Sequence, residues 1–145
     1  MNSKEIITKS DQETKELAGE IAQEMLRRKN QKALVIGLEG DLGSGKTTFI
    51  QGIAQGLGIK DKITSPTFVI IKKYNSFYHI DCYRIESKDL LELGFKEIIN
   101  QSGNIVMIEW AERVKNVLPK NTIWIKFEYL DKDKRKIIYE NISSN

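Results

Sequence analysis

The chain has 145 residues, 40% of them hydrophobic and 30% charged, with a net charge of +3. That balance fits one ordinary globular domain, residues 1–145, with a real core; the charge is too small and too dispersed to argue nucleic-acid binding from electrostatics. Met1 to Asp11 has no apolar core for a secretory leader, no apolar run approaches the ~18 residues of a membrane span, and the single Cys82 excludes an internal disulfide, so the expected setting is a reducing cytoplasm.

In chain order, Ser10-Asp11-Gln12-Glu13 reads as a capping box, with Ser10 at the N-cap and Glu13 three residues on. Leu17, Ala18, Ile21, Ala22, Met25 and Leu26 then fall on one helical face. Asn30-Gln31-Lys32 ends that helix. Ala33 to Leu38 is a short apolar run, a buried strand.

Gly40-Asp41-Leu42-Gly43-Ser44-Gly45-Lys46-Thr47 follows, and it fits the pattern of a glycine, four residues, then Gly-Lys-Ser/Thr. Glycines let a backbone turn tightly and approach an anion. Successive N–H groups can then cradle phosphate oxygens. Lys46 is a point charge for terminal phosphates, and the Thr47 hydroxyl suits Mg²⁺. Lys46 to Leu57 carries Ile50, Ile53, Ala54 and Leu57 at helical spacing, and Gly58 sits where a C-cap glycine would. Strand, glycine loop and helix is the order this chemistry requires.

Thr64-Ser65-Pro66-Thr67-Phe68 is a loop with three hydroxyls. Proline keeps Ser65 out of helical geometry. A nucleotide-sensing loop and a plain turn fit it equally well. Val69 to Tyr74 and Phe77 to Asp81 read as two strands joined by Asn75-Ser76. Asp81 ends the second, a position that suits Mg²⁺ or a water-orienting role. His79 within it reads as a packing residue before a ligand, and Cys82 has no partner that suggests reactivity.

Ser87 to Leu93 predicts a short helix closed by Gly94, with Phe95 to Ile99 following as irregular or helical chain. Asn104 to Glu109 is the second clear buried strand, again ended by an acid, beside Trp110. Ligands of parallel α/β sheets gather at the carboxyl ends of strands, so the loop after Leu38, Asp81 and Glu109 could converge. An edge salt bridge is the plainer role for Glu109. Glu112 to Leu118 predicts a short helix stopped by Pro119. Thr122 to Tyr129 and Arg135 to Ile142 predict a C-terminal antiparallel hairpin. Its basic turn, Lys132 to Lys136, suits solvent, although Arg135 could reach a nucleotide.

Four segments in this order, Gly40 to Thr48, Ser65 to Phe68, His79 to Arg84 and Ile108 to Trp110, resemble the TsaE family, with Leu118-Pro119 following. These are P-loop ATPases that assist threonylcarbamoylation of the tRNA adenosine beside the anticodon. The resemblance spans nearly the whole chain. It departs at Cys82, where an aliphatic residue is usual, and at the short Asn75-Ser76 link.

The resemblance implies a P-loop NTPase-like three-layer α/β fold, with a mixed, mainly parallel central sheet and the C-terminal hairpin. It implies ATP and Mg²⁺ as cofactors. Lys46 would act in catalysis and, with Asp41, Leu42, Gly43, Ser44, Gly45, Thr47 and Thr48, hold ATP. Thr47 and Glu109 would hold Mg²⁺, and Asp81 would act in hydrolysis. Asp11 and Arg135 would contact the nucleotide. Ser65, Pro66, Thr67 and Phe68 would form a switch. The implied partners are the catalytic threonylcarbamoyltransferase subunit and its paralogue, with tRNA contacted indirectly.

Three rivals are weighed against it. A small GTPase needs Asn-Lys-x-Asp and Asp-x-x-Gly, and neither is present. A small P-loop kinase needs an acceptor site and a lid; only Arg84 and Arg113 are candidates. A nucleotide-gated interaction module without turnover overlaps with the family reading. Trp110 is open between a core role and a partner-facing one.

Overall fold

The computed structural model describes residues 3–28, 32–40, 45–61, 63 and 70–140. Its strands are β1 (Ser3–Thr8), β2 (Leu34–Gly40), β3 (Ile71–Tyr74), β4 (Phe77–Asp81), β5 (Ile105–Glu109), β6 (Ile123–Tyr129) and β7 (Arg135–Glu140). Its α-helices are α1 (Asp11–Arg27), α2 (Lys46–Gly56), α3 (Ser87–Glu92) and α4 (Phe95–Asn100), with a 3-10 segment at Ala111–Val117. The seven strands order as β1-β7-β6-β2-β5-β4-β3. β5 is parallel to both β2 and β4, and the described outer pairs are antiparallel. This is the expected mixed α/β sheet, parallel at its centre. Among the described residues, no helix is long and apolar enough to cross a membrane.

Contacts gather into two compact units, one of residues 1–29, 40–65 and 125–145, the other of residues 30–39 and 66–124. In the first, the Ser10 hydroxyl accepts from the Glu13 N–H at 3.1 Å and starts α1. The return bond of the capping box lands one residue early, with Glu13 Oε1 accepting from Lys9 N–H at 2.9 Å. α2 ends in a Schellman turn: Gly58 N–H donates to Gln55 and Ile59 N–H to Ala54, with Gly58 at φ 83°.

α1 and α2 pack side by side through glycine. A Cβ on Gly52 would lie 2.7 Å from the Ala18 Cβ and 2.9 Å from the Lys15 backbone, and one on Gly56 would lie 2.6 Å from the Ala22 Cβ. Both contacts advance four residues together, so the helices run parallel and in step. Leu17, Ala18, Ile21, Ala22 and Met25 are buried as their spacing predicts, but Leu26 is 56% exposed. α2 ends at Gly56, level with Ala22, so no α2 residue reaches Leu26 one turn further on. On the strand side, Phe49 of α2 meets Phe127 of β6 edge-on at 5.2 Å. β1 has no counterpart among the sequence expectations. It is a short, mostly exposed edge strand, held in register by β7.

In the second unit the parallel trio is buried on both faces. Val35, Tyr78, Ile80, Val106 and Ile108 point to one side, where they pack with Leu90, Phe95, Ala111 and Val114. Ile36, Leu38, His79, Met107 and Glu109 share the other side and are also buried. Asn75 turns the β3–β4 hairpin at φ 58°, a left-handed position that asparagine tolerates. The segment after Trp110 is a 3-10 helix from Ala111 to Val117, which starts one residue before the expected Glu112.

The helix pair yields a stability test. Gly52→Val must push against Lys15 backbone and should cost about 1–3 kcal/mol. Gly19→Ala meets nothing within 4 Å and should gain about 0.5–1 kcal/mol from helix propensity. Urea unfolding should move the two midpoints in opposite directions; a shift of the same sign would contradict the close helix approach.

Candidate functional site

In the first unit, α2 begins at a helix N-terminus without a side-chain cap. Gly45 is the N-cap of α2, at φ 96° and ψ 12° with no side-chain cap bond. That backbone conformation is one glycine adopts freely. The first turn of α2 holds no acid, whereas that of α1 holds Asp11 and Glu13. α1 therefore meets its dipole with its own carboxylates. α2 begins with neither a carboxylate nor a side-chain cap, and a helix N-terminus carries partial positive charge.

Lys46 opens α2 and is buried, 5% exposed. Its Nζ donates to the Gly40 carbonyl at 2.9 Å. A buried ammonium needs acceptors, and this one reaches back six residues to the first glycine of the motif. Thr47 and Thr48 are half-buried in the same turn. Asp41, Leu42, Gly43 and Ser44 lie outside the described residues, as do Ser65, Pro66, Thr67 and Phe68.

Arg135 stands beside this turn. A Cβ on Gly45 would lie 3.4 Å from Arg135 Cγ and Nε. The β6–β7 turn holds the guanidinium in place: Nη1 donates to the carbonyls of Asp131 (2.8 Å), Lys134 (3.1 Å) and Lys132 (3.2 Å). Asp131 shapes that turn by accepting from Asp133 and Lys134 N–H, both at 3.0 Å. These bonds hold its carboxyl below the usual range. The guanidinium lies 5.0 Å from the Tyr129 ring. Arg135 Nε is buried and has no partner among the described residues. Asp11 is the exposed first residue of α1. The parallel, in-step packing of the helices puts their two first turns at the same end.

The acids lie in the second unit. Register pairs Leu38 with Glu109 and Glu109 with Asp81, so three parallel strands end at one level. Asp81 and Glu109 face the same side on strands about 4.8 Å apart. Their surroundings differ. Glu109 is 5% exposed and its Oε2 lies 2.7 Å from His79 Nε2. Asp81 is half-buried, and its Oδ1 accepts from Tyr83 N–H at 2.9 Å. His79 is fully buried, as a packing residue would be, but its bond to Glu109 was not anticipated. The signal available was its position two residues before Asp81, which places both on one strand face.

Trp110 is half-buried with φ 58° and ψ 37°, a left-handed backbone that is an outlier for a bulky residue. Its ring lies 4.9 Å from that of Tyr83, which is 43% exposed. Of its two open roles it fills part of one, since it packs against the core cluster of this unit. Elsewhere in the first unit a cavity of about 500 Å³ is lined by Lys15, Gln51, Gln55 and Lys60 among others. It sits along later turns of α2 and does not include Lys46. Among the described residues, no three His, Cys, Asp or Glu side chains cluster as a metal site.

Taken by its fold and its motif order, the chain is a mixed α/β protein with a glycine loop between a buried strand and a helix. Residues 8–137 match the family model described as threonylcarbamoyl adenosine biosynthesis protein TsaE, and the chain belongs to this family. It is 40% identical to the Bacillus subtilis tRNA threonylcarbamoyladenosine biosynthesis protein TsaE, over 76% of this chain and 71% of that one. It is 38% identical to the protein of the same name from Rickettsia bellii, over 93% of this chain and 92% of that one. The crystal structure of Bacillus subtilis YdiB superposes with a TM-score of 0.74 at 34% identity, covering 95% of this chain and 84% of that one.

Cys82 follows Asp81 directly and is buried. Burial, then the Asp81 charge, pushes its thiol up to about 12, with Arg113 opposing. At pH 8 a disulfide reagent should therefore label the folded chain more than about a hundredfold slower than the unfolded chain. Fast labelling in native buffer would show that Cys82 is open to solvent.

Proposed function

We propose that this chain is a Mg²⁺-dependent ATPase that serves tRNA threonylcarbamoyladenosine biosynthesis. It binds ATP on the Gly40–Thr47 loop, hydrolyses it slowly alone and faster with its partners. The observation that carries this reading is Lys46. A buried ammonium held on the carbonyl of Gly40, at a helix N-terminus without a side-chain cap, is the electrostatics a phosphate chain requires. Arg135 beside Gly45 adds a second cation whose Nε has no partner among the described residues, and Asp11 begins the adjacent helix.

Thr47 and Glu109 are the residues proposed to hold Mg²⁺. A hydroxyl and a carboxylate are hard oxygen donors, which fit this ion when waters and phosphate oxygens complete its shell. Mg²⁺, when bound, neutralises charge on the phosphate oxygens. The family match over residues 8–137, which takes in both motifs, supports the pairing. Asp81, half-buried and fixed through Tyr83 N–H, is assigned to orienting the attacking water. Ser65 to Phe68 is assigned as the switch.

The partners proposed are the catalytic threonylcarbamoyltransferase subunit and its paralogue, in the cytoplasm, with tRNA reached through them. The small net charge of +3 supports indirect contact with tRNA. Trp110 and Tyr83, partly exposed beside the two acids, are the surface proposed to report nucleotide state. The 145 residues are proposed to act as one domain, since each unit is built from separate stretches of chain.

Removal of a charged contact of this kind costs about 1.5–3 kcal/mol, so Lys46→Ala should bind a fluorescent ATP analogue at least about tenfold more weakly. Unchanged affinity in a folded variant would defeat the loop assignment. Glu109→Ala should raise the Mg²⁺ requirement, and Asp81→Ala should lower turnover more than binding, a ground-state and a transition-state loss respectively. Wild-type behaviour of both would remove the two-acid site.

The functional reading is tested by phosphate release with and without the two partner subunits, for wild type and Trp110→Ala. Stimulation that Trp110→Ala weakens, with nucleotide binding intact, is the expected result. Equal rates with and without partners, and docking that ignores nucleotide, would exclude a partner-coupled ATPase. Nucleotide-dependent docking without turnover would mark a pure nucleotide gate.

A further inference from the structure

The chain's one histidine is 0% exposed. It sits in β4 with Ile36, Met107 and Phe77 buried around its level of the sheet. A leucine or methionine would fill that position without a polar ring to satisfy. His79 Nδ1 is buried with no partner among the described residues. The bond it keeps is short, 2.7 Å from Nε2 to Glu109 Oε2. With Glu109 as the acceptor, Nε2 is the nitrogen that carries the hydrogen. The contact runs diagonally, because His79 is level with Met107 and Glu109 lies one same-face step further along.

We propose that His79 is a positioning residue that orients the Glu109 carboxylate for Mg²⁺; this rests on Glu109 being a metal ligand. One carboxylate oxygen is pinned by Nε2–H, and the rotation of the group about its terminal bond is fixed. The other oxygen, Oε1, is then presented in a set direction at the end of β5. Ligands held this way bind metal more tightly, since less freedom is lost on coordination. A donor matters as much as direction. An apolar neighbour would leave a buried carboxylate short of a donor, so the bond also keeps Glu109 able to face inward.

The test is a Mg²⁺ titration of fluorescent ADP binding by wild type, His79→Met, His79→Gln and Glu109→Ala, with thermal melting as the folding control. His79→Met should raise the half-saturating Mg²⁺ by about tenfold or more, leaving Mg²⁺-free ADP affinity unchanged. His79→Gln, whose amide nitrogen reaches near the place of Nε2, should bring the value back to within about threefold of wild type. If Glu109→Ala raises the Mg²⁺ requirement and His79→Met does not, the positioning role falls and the metal reading stands. If Glu109→Ala also leaves it unchanged, the metal reading falls and the positioning role with it. Equal weakening of ADP with and without Mg²⁺ in His79→Met would mean a merely structural histidine. Should His79→Met fail to fold, ¹⁵N spectra of the single histidine in wild type decide. Its Nε2 signal should shift when Mg²⁺ is added to the ADP complex, and a signal that stays in place would overturn the proposal.

Discussion

The pairing of β5 with β2 on one side and β4 on the other is the constraint from which the rest of the second unit follows. These three strands are parallel and buried on both faces. A strand with two buried faces has no room for a carboxylate except at an end. Asp81 and Glu109 are both last residues of their strands, and the register sets them side by side. A slip of one residue would turn Glu109 to the opposite face and point Ile108 toward His79. The apolar runs that fill the core are thus also what place the acids. Their chemistry is available at the carboxyl edge because it is excluded everywhere else in the trio.

The first unit meets a different constraint, the approach of two parallel helices. Parallel helix dipoles side by side are unfavourable, and each N-terminus gathers partial positive charge. α1 answers this with Asp11, Glu13 and the Ser10 cap. α2 begins on Gly45 with neither acid nor side-chain cap, and it carries Lys46 there as well. Among the described residues the first turn of α2 holds no acid, and a helix N-terminus of this kind suits an anion. Gly52 and Gly56 let the helices touch, while Gly45 lets the chain turn into α2 at all.

Much of this was legible from local pattern. The Ser10 cap, the β2 run, the α2 spacing, the Gly58 terminus and the β6–β7 alternation all follow from periodicities of 3.6 and 2 with their stop signals. What escaped is non-local. β1 is a polar edge strand whose order comes from pairing with β7 across the length of the chain. Leu26 has the right spacing for burial, but the neighbouring helix stops short of it. The bond between His79 and Glu109 joins residues 30 apart, and only the parallel register makes them diagonal neighbours. A histidine in a strand carries no signal of which carboxylate it will face. The loop residues Asp41 to Ser44 and Ser65 to Phe68 have clear motif character and lie outside the described residues.

The backbone at Trp110 shows how the acids are tied to the surface. β5 must stop after Glu109, because the chain has to turn so that Ala111 and Val114 enter the core. A left-handed conformation makes that turn, at φ 58° for Trp110, and in a bulky residue this costs about 1–3 kcal/mol. Packing of the segments on either side holds it there. The ring then meets Tyr83, whose own N–H is held by Asp81, while Cys82 N–H bonds the Glu109 carbonyl. The path from one acid to the other therefore runs Asp81, Tyr83, Trp110, Glu109, with each neighbour covalently close or in contact. The two aromatic rings are therefore tied to both acids through backbone hydrogen bonds and a ring contact, over a few residues and with no long chain of side chains between them.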